Sequence, residues 1–454
     1  MAEGERPEDR RERLTRPSPR ELLRAAAPWL FAPELGACIV GSAALAEACR
    51  RAGFDGPRVG DVDLAWLPDV EQGAALLAER GVLIPTTGHN RARGTLAAKL
   101  AGTRVELTTL RGGASHMDLA ERIERDLAAR ESTAGALAWR LDDDVILDPQ
   151  NGLADWRARL VRAAGDPLAR VREHPIRWVR WYRRAHEWGF TLDGAIRKVA
   201  ADPAWLREVP AEALAQELRA ILLRCPSPGR CLLELHEAKL LAVFAPELAP
   251  QFDGRPAGPQ RHHPEVSQAL HLVLALEAAQ RLAADRSDED RAAVLVATLC
   301  HDLGKNSTRE RDWPRHLGHE AAGGPLIDAM FARLPGLGDA ALRRLAHAVA
   351  RLHLVIRDVA ALRPGTLADL YDEWFRPADF RADLFALAVA ADVGGRSGRE
   401  AEAEPLRAQI ERDIAWIRAR CETVDARALR TRHGDDVVEF KAALHQARAQ
   451  ALAR

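Results

Sequence analysis

Apolar positions along the chain fall into two regimes. Up to about residue 150, short apolar runs alternate with stretches of helical spacing, and beyond it nearly every segment repeats its apolar residues three and four apart. Residues 36–42, GACIVGS, predict a short buried strand ending in a tight Gly41–Ser42 turn, and Ala43–Gly53 predicts a helix. After a loop with Gly53, Gly56, Pro57 and Gly60, a second strand is predicted over Asp61–Leu67, closed by Pro68. Val70–Arg80 predicts a helix, and Thr95–Ala101 and Thr103–Leu110 predict two strands joined at Gly102. From Ala154 onward the predicted elements are helices, among them Ile176–Trp188, Ala211–Arg224, Glu234–Phe244 and Gln268–Ala283. Proline and glycine punctuate them at Pro226–Gly229, Pro246–Pro250, Gly254–Pro259 and Pro335–Gly338. The stretch Ala249–Pro264 carries four prolines and predicts a domain linker. The pattern predicts an α+β chain: a small mixed-sheet head over 28–150, a mostly α-helical neck and body over 151–250, and an all-α domain over 260–420. Residues 421–454 continue as a C-terminal helical segment.

Composition narrows the classes. Hydrophobic residues make up 47% and charged residues 29%, as expected for packed cores in a soluble protein. Lys and Arg number 65 against 66 Asp and Glu, so the chain is no overall basic nucleic-acid binder, and RNA contact would need local Arg patches. The six cysteines include no CxxC pair, which fits thiols used as small core residues in a reducing compartment. The first twenty residues, MAEGERPEDRRERLTRPSPR, have no apolar stretch and are rich in acids. They are read as neither signal nor transit peptide, and residues 1–27 as a disordered tail. No run of about 18 apolar residues occurs, so no membrane partner is expected and a cytoplasmic location is the default.

Two constellations carry chemistry. In the first, Asp61 and Asp63 stand at i and i+2 of a predicted strand and so share a face. Paired carboxylates of this kind suit Mg²⁺, which neutralises charge in phosphoryl chemistry, and Glu106 on Val105–Thr109 is a candidate third ligand. By itself the pattern fits two exposed acids on a strand equally well. In context, a strand ending Gly41–Ser42, a helix, then the Asp-x-Asp strand, it resembles the polymerase-β nucleotidyltransferase superfamily.

Within that superfamily the chain resembles bacterial CCA-adding tRNA nucleotidyltransferases. The likeness lies in Gly94-Thr95, Val105–Arg111, Asp126–Glu131 through Ala136–Ala138, Asp148-Pro149 with Asn151–Asp155, and Glu173–Arg177 followed by Gly189-Phe190. The resemblance implies Mg²⁺ at Asp61, Asp63 and Glu106, nucleotide contacts at Gly41, Ser42, Arg130 and Arg177, and CTP, ATP and tRNA as partners. The chain also departs from the family's pattern. Where the family follows its Gly-Gly with Val-Arg-Asp, this chain has Ala44, Leu45 and Ala46; Ala129, Glu131, Gly135 and His174 replace the family's Arg, Asp, Asn and base-reading Asp. Each lost Arg removes a charge-assisted hydrogen bond to the triphosphate. Two readings follow: a drifted but active nucleotidyltransferase, or a folded RNA-binding domain that no longer adds nucleotides.

The second constellation is His271 on a predicted helix over Val266–Ala283, His301-Asp302 with Gly304 and Lys305 at the end of an apolar helix, and Asp392 at the end of Ala388–Asp392. Adjacent helical side chains diverge by about 100°, which lets an imidazole and a carboxylate approach one cation from neighbouring directions. A bare carboxylate on an apolar helix is costly to bury unless paired or metal-bound. The bland alternative is a set of unrelated polar residues at helix ends. The spaced set resembles the H…HD…D pattern of HD metal phosphohydrolases. Ala297–Lys305, Trp313–Glu320 and Ala391–Gly398 resemble the HD domain of CCA-adding enzymes of the multifunctional kind.

This second resemblance implies a divalent transition metal or Mg²⁺ held by His271, His301, Asp302 and Asp392, with Lys305 stabilising phosphate charge. It implies phosphatase and 2′,3′-cyclic phosphodiesterase activity on phosphoester substrates, and it brings His316 and His319 near the metal. His353, among apolar neighbours, is read as a satisfied core histidine. Trp178, Trp181, Tyr182 and Trp188 among Arg177, Arg180, Arg183 and Arg184 fit either an RNA-stacking face or a core stripe. The expected protein is a CCA-adding family member acting on the tRNA 3′ end with a fused phosphohydrolase. The alternative is a phosphohydrolase alone, its head retained for RNA binding.

Overall fold

The computed structural model describes residues 17–84, 89–90, 94–100, 102–111, 117–434 and 436–453. Two compact units emerge. One runs through the described residues up to Trp181 and includes Gly189–Ala201; the other joins Tyr182–Trp188 to Asp202–Arg454.

The first unit is built on a seven-stranded sheet in the order β3-β4-β5-β2-β1-β6-β7. Its strands are β1 (Cys38–Val40), β2 (Val62–Trp66), β3 (His89–Asn90), β4 (Thr95–Leu100), β5 (Thr103–Thr109), β6 (Ala138–Arg140) and β7 (Ile146–Leu147). All neighbours are antiparallel except β2 and β5, so the sheet is mixed, as expected. Every residue of β1 is buried, which is why this strand reads as a continuous apolar run without alternation. Gly41 follows it with φ +70°, a left-handed conformation that glycine adopts without Cβ strain, and it caps the helix Ser42–Arg51.

Four expectations are corrected in the fold. Strand content does not stop near residue 150: β8 (Leu160–Val161) and β9 (Thr191–Leu192) form a further parallel pair. Two residues each are too short to leave a period in the sequence. The run Glu234–Phe244 is not one helix but two, Pro228–Glu237 and Leu241–Phe244, broken where Lys239 takes φ +61°. Of the residues read as a disordered tail, Pro19–Ala26 form a helix with a reciprocal capping box between Ser18 and Glu21, while 1–16 lie outside the described residues. Finally, the proline-rich stretch 249–264 is no free connector. Ala249, Gln251, Phe252, Ala257 and His263 are buried within the second unit, because its prolines shape a packed loop instead of a spacer.

The second unit is helical. Helices Gln268–Leu282, Asp288–Cys300, His319–Arg333, Ala340–Leu352 and Ala382–Gly394 enclose its core. Ser267, Ser287 and Asp339 accept backbone N–H groups at three of their starts, satisfying otherwise orphaned donors. Ala382–Gly394 is buried without a break from Leu384 to Gly394, so it is a central helix, apolar all round except for Asp392. At Gly304 a Cβ would stand 1.9 Å from the His319 carbonyl oxygen, so only glycine lets the chain after His301-Asp302 pass against the start of helix His319–Arg333. Trp178, Trp181 and Tyr182 are buried, which decides their helix in favour of a core stripe. No helix of the described residues is long and apolar enough to cross a membrane.

Candidate functional site

In the first unit the sheet register assembles the predicted acids. Asp63 pairs with Val40 on one side and Glu106 on the other, and its carboxylate lies 3.7 Å from where a Gly41 Cβ would stand. Burial raises the Asp63 carboxyl, the Glu106 charge adds to this, and Arg130 opposes it. Two carboxylates that repel each other beneath a helix N-terminus are an arrangement a divalent cation would relieve. Asp61 is exposed and stands one residue before the strand, while Arg104 pairs with Glu106 at 2.9 Å. Arg130 is held by Asp126, itself buried, at 2.9 Å. Arg177 is buried, donating to Glu173 at 2.7 Å and to the Ala129 carbonyl at 3.2 Å. Ser42 opens the helix after Gly41.

In the second unit His271, His301, Asp302 and Asp392 come together. The Nε2 atoms of His271 and His301 are 3.2 Å apart; the first lies 3.2 Å from Asp392 Oδ1, the second 3.1 Å from Asp302 Oδ2. All four residues are buried. Lys305 Nζ stands 2.7 Å from Asp302 Oδ2 and also donates to the Ala257 carbonyl. His319 joins the cluster, its Nε2 at 3.4 Å from Asp302 Oδ1. His316 is brought close in the chain but not into the site: its ring nitrogens engage the Thr308 hydroxyl and the Pro256 carbonyl.

The decisive feature is where each ring is held from behind. His301 Nδ1 engages the Thr298 carbonyl at 2.6 Å, His319 Nδ1 the His316 carbonyl at 2.9 Å, and His353 Nδ1 the Ala350 carbonyl at 3.1 Å. His271 Nδ1 lies 2.9 Å from Glu265. The Nδ1 atoms of His301, His319 and His353 are engaged by backbone carbonyls, so the four Nε2 atoms face Asp302 and Asp392, an orientation that suits imidazoles to ligate a cation. Glu265 also accepts from His263 Nδ1 at 2.8 Å. Burial would raise Asp302 and Asp392, but both are driven well below the usual carboxylate range, Asp302 by His301 and Lys305, Asp392 by Arg357 and Arg396. For His271 and His319 burial pulls down, and is outweighed by the neighbouring carboxylates, Asp392 and Glu265 for the first and Asp302 for the second, so both are raised. A cavity of about 290 Å³ opens on the cluster, with Lys305, Arg315, Arg357 and Arg396 on its wall.

Sequence reasoning missed five of these residues. His353 was expected in the core and instead faces Asp302, its Nε2 at 3.8 Å. His263 and Glu265 sit in and beside the stretch read as a linker. Arg357 lies within the short helical turn Val355–Ala361 and has no distinctive spacing, whereas Arg396 stood within Ala391–Gly398 and could have been taken from there.

No protein-family model matches the chain. The multifunctional CCA protein of Xanthomonas euvesicatoria pv. vesicatoria is 33% identical over 351 residues, 76% of this chain and 81% of that protein. That of Alkalilimnicola ehrlichii is 36% identical over 301 residues, 65% and 69%. The chain belongs to the multifunctional CCA protein family, within the CCA-adding tRNA nucleotidyltransferases. Solved structures agree on the fold. A CCA-adding enzyme in complex with ATP aligns with TM-score 0.62 at 14% identity over 97% of this chain and 91% of its own. The CCA-adding enzyme of Bacillus stearothermophilus in complex with CTP aligns with TM-score 0.59 at 21% identity, 92% and 88%. Set against the family's pattern, the replaced positions are not spare surface. Ala44 and Leu45 are buried in the helix after Gly41.

Proposed function

We propose that the chain acts at the 3′ end of tRNA as a metal-dependent phosphohydrolase of the HD type, with a nucleotidyltransferase head whose power to add nucleotides is impaired. The convergence of four Nε2 atoms on Asp302 and Asp392 carries the first part. A divalent cation fits the donor set: Asp302 Oδ1 and His319 Nε2 are buried without a hydrogen-bond partner. Mixed imidazole and carboxylate ligands suit Mg²⁺, Mn²⁺, Fe²⁺, Co²⁺ or Ni²⁺. Such a cation supplies a Lewis acid and makes hydroxide available near neutral pH.

The chain's own residues do the rest. Glu265 and the backbone carbonyls fix ring orientation, Lys305 and Arg315 meet phosphate charge, and the recessed cavity limits bulk water around the phosphoester. The test is hydrolysis of 2′,3′-cyclic AMP with and without added metal; no metal-stimulated turnover sinks the reading.

Metal affinity should depend on pH. His271 and His319 hold a proton above the ordinary histidine range of about 6.5, and a cation must displace it. Apparent affinity therefore falls as pH drops from about 8 toward 6, by up to about tenfold per unit for each proton displaced. Titration calorimetry in two buffers of different ionisation enthalpy should register the released protons, and an affinity flat across that window contradicts the assignment.

The second part of the proposal rests on Arg177, whose guanidinium is already taken by Glu173 and the Ala129 carbonyl, and on the missing Arg after Gly41. Incorporation of labelled CTP and ATP into tRNA lacking its CCA end should run at least about tenfold below that of an intact relative, the effect of losing one or two charge-assisted contacts at about 1.5–3 kcal/mol each. Equal rates would restore the fully active reading. Asp61, Asp63, Glu106 and Mg²⁺ remain the expected catalytic group for whatever addition persists.

A further inference from the structure

We propose that the first unit carries a second nucleotide site, apart from Asp63 and Glu106. There Trp156 and Phe190 stack a planar base, and Arg157 and Arg159 hold its phosphate. The site does not depend on the phosphohydrolase reading.

A cavity of about 480 Å³ opens where three segments of the first unit meet. They are the loop after helix Ser42–Arg51, the end of helix Gly152–Arg157, and the turn at Gly189 and Phe190 that leads into β9. Helix Ser42–Arg51 has 10 residues, so the cavity at its far end lies about 15 Å from Gly41 and the acids beside it. Its volume is that of a small-molecule site.

Hydrogen bonds and ring contacts fix the walls. The Trp156 indole N–H donates to the Asp55 carbonyl at 3.0 Å, tying together segments 101 residues apart in the chain. Phe190 meets Trp156 edge-on, with ring centroids 4.8 Å apart and planes inclined by 64°. The Thr191 N–H donates to the Arg159 carbonyl at 2.8 Å, which holds the Phe190 turn against the end of the helix. Both rings are half-buried and line the cavity. Aromatic faces of this kind stack nucleobases with little regard to base identity.

Backbone and charge point the same way. Arg159 takes φ +55° two residues past the end of helix Gly152–Arg157, at the position where helices favour glycine. An arginine kept there carries a backbone cost, and its guanidinium stands over the Phe190 ring, 5.8 Å from the centroid. Arg162 nearby pairs with Asp155 and Asp193, whereas among the described residues Arg157 and Arg159 form no ion pair. Neutralising helix ends does not account for Arg159, because Arg50 and Arg51 already close the first helix and Arg157 the second. An inorganic anion would leave the rings unused, and an uncharged aromatic would leave the guanidiniums unused. A base joined to a phosphate uses both.

The test is equilibrium dialysis of radiolabelled AMP against the full-length chain in EDTA, which removes divalent cations from the rest of the molecule. Binding should be saturable. It should weaken by about tenfold or more in Phe190→Leu, which removes stacking, and in Arg159→Gly, which removes a charge-assisted contact. Glycine suits the left-handed backbone at this position, so Arg159→Gly should melt no lower than the parent, and its lost binding is not lost folding. A hexameric oligoadenylate separates the two sources of such a nucleotide. Binding tighter than that of AMP marks a nucleotide of single-stranded RNA, and binding no tighter marks a free one. No saturable binding of either probe, or binding unchanged in both variants, overturns the site and leaves the phosphohydrolase reading untouched.

Discussion

Replacing His301 by alanine should lower metal-dependent hydrolysis of a 2′,3′-cyclic nucleotide by about a thousandfold or more. Loss of a residue that merely orients a ligand costs about 10–100-fold, and His301 is argued to be a ligand itself. Its ring touches both halves of the site, at 3.2 Å from His271 Nε2 and 3.1 Å from Asp302 Oδ2. Without it, Asp302 and Asp392 face each other across a buried space with one fewer neutral donor, and any cation retained is mispositioned. Chelation of the parent protein should produce the same loss, and readdition of metal should restore the parent but not the variant. A variant that keeps its rate, with bound metal unchanged, would remove His301 from the chemistry. Glu265→Gln is the graded companion: the ring of His271 keeps a hydrogen-bond partner but loses the negative charge behind it, so affinity should fall by about 10–100-fold.

The largest stability effect is expected at Gly304. Adding one methyl there places a carbon 1.9 Å from the His319 carbonyl oxygen and 2.6 Å from the Gly323 nitrogen, both backbone atoms that cannot swing aside. Overpacking of this kind costs about 3 kcal/mol or more, against a usual range of about 1–3 for groups that can yield. For a unit of this size that corresponds to a fall of roughly 6–12 °C in Tm. The helix His319–Arg333 would have to shift, carrying His319 away from Asp302. Gly324→Ala is the control. It lies in the same helix, its nearest neighbour is a His347 side-chain atom at 3.5 Å, and alanine in a helix interior gains up to about 1 kcal/mol over glycine. Thermal unfolding of both variants decides the matter: equal Tm values would mean that the close approach at Gly304 relaxes freely.

Much of the architecture could be read from the chain because local signals and tertiary packing agreed. Ile176–Trp188 and Ala211–Arg224 are helices with the expected bounds, since their apolar residues repeat at the period a helix buries. The sheet order around Asp63 was not readable. Which strand pairs with which depends on contacts between distant residues, and the parallel pairing of β2 with β5 leaves no mark on either segment alone. The proline-rich stretch misled for a related reason: composition reports that a helix cannot form there, and is silent on whether the loop is packed. His353 was misread because an imidazole among apolar neighbours looks the same in sequence whether it faces a core or a buried carboxylate.

By itself the sequence determined the kind of elements, the set His271, His301, Asp302 and Asp392, and the membership of a family, because residue type and spacing act locally. Only the tertiary structure decided that His353 joins them, that of the expected pair His319 does and His316 does not, and that Glu265 stands behind His271. Those are relations between side chains up to a hundred residues apart, and they follow from which helix faces pack together and which ring nitrogen the backbone has already claimed.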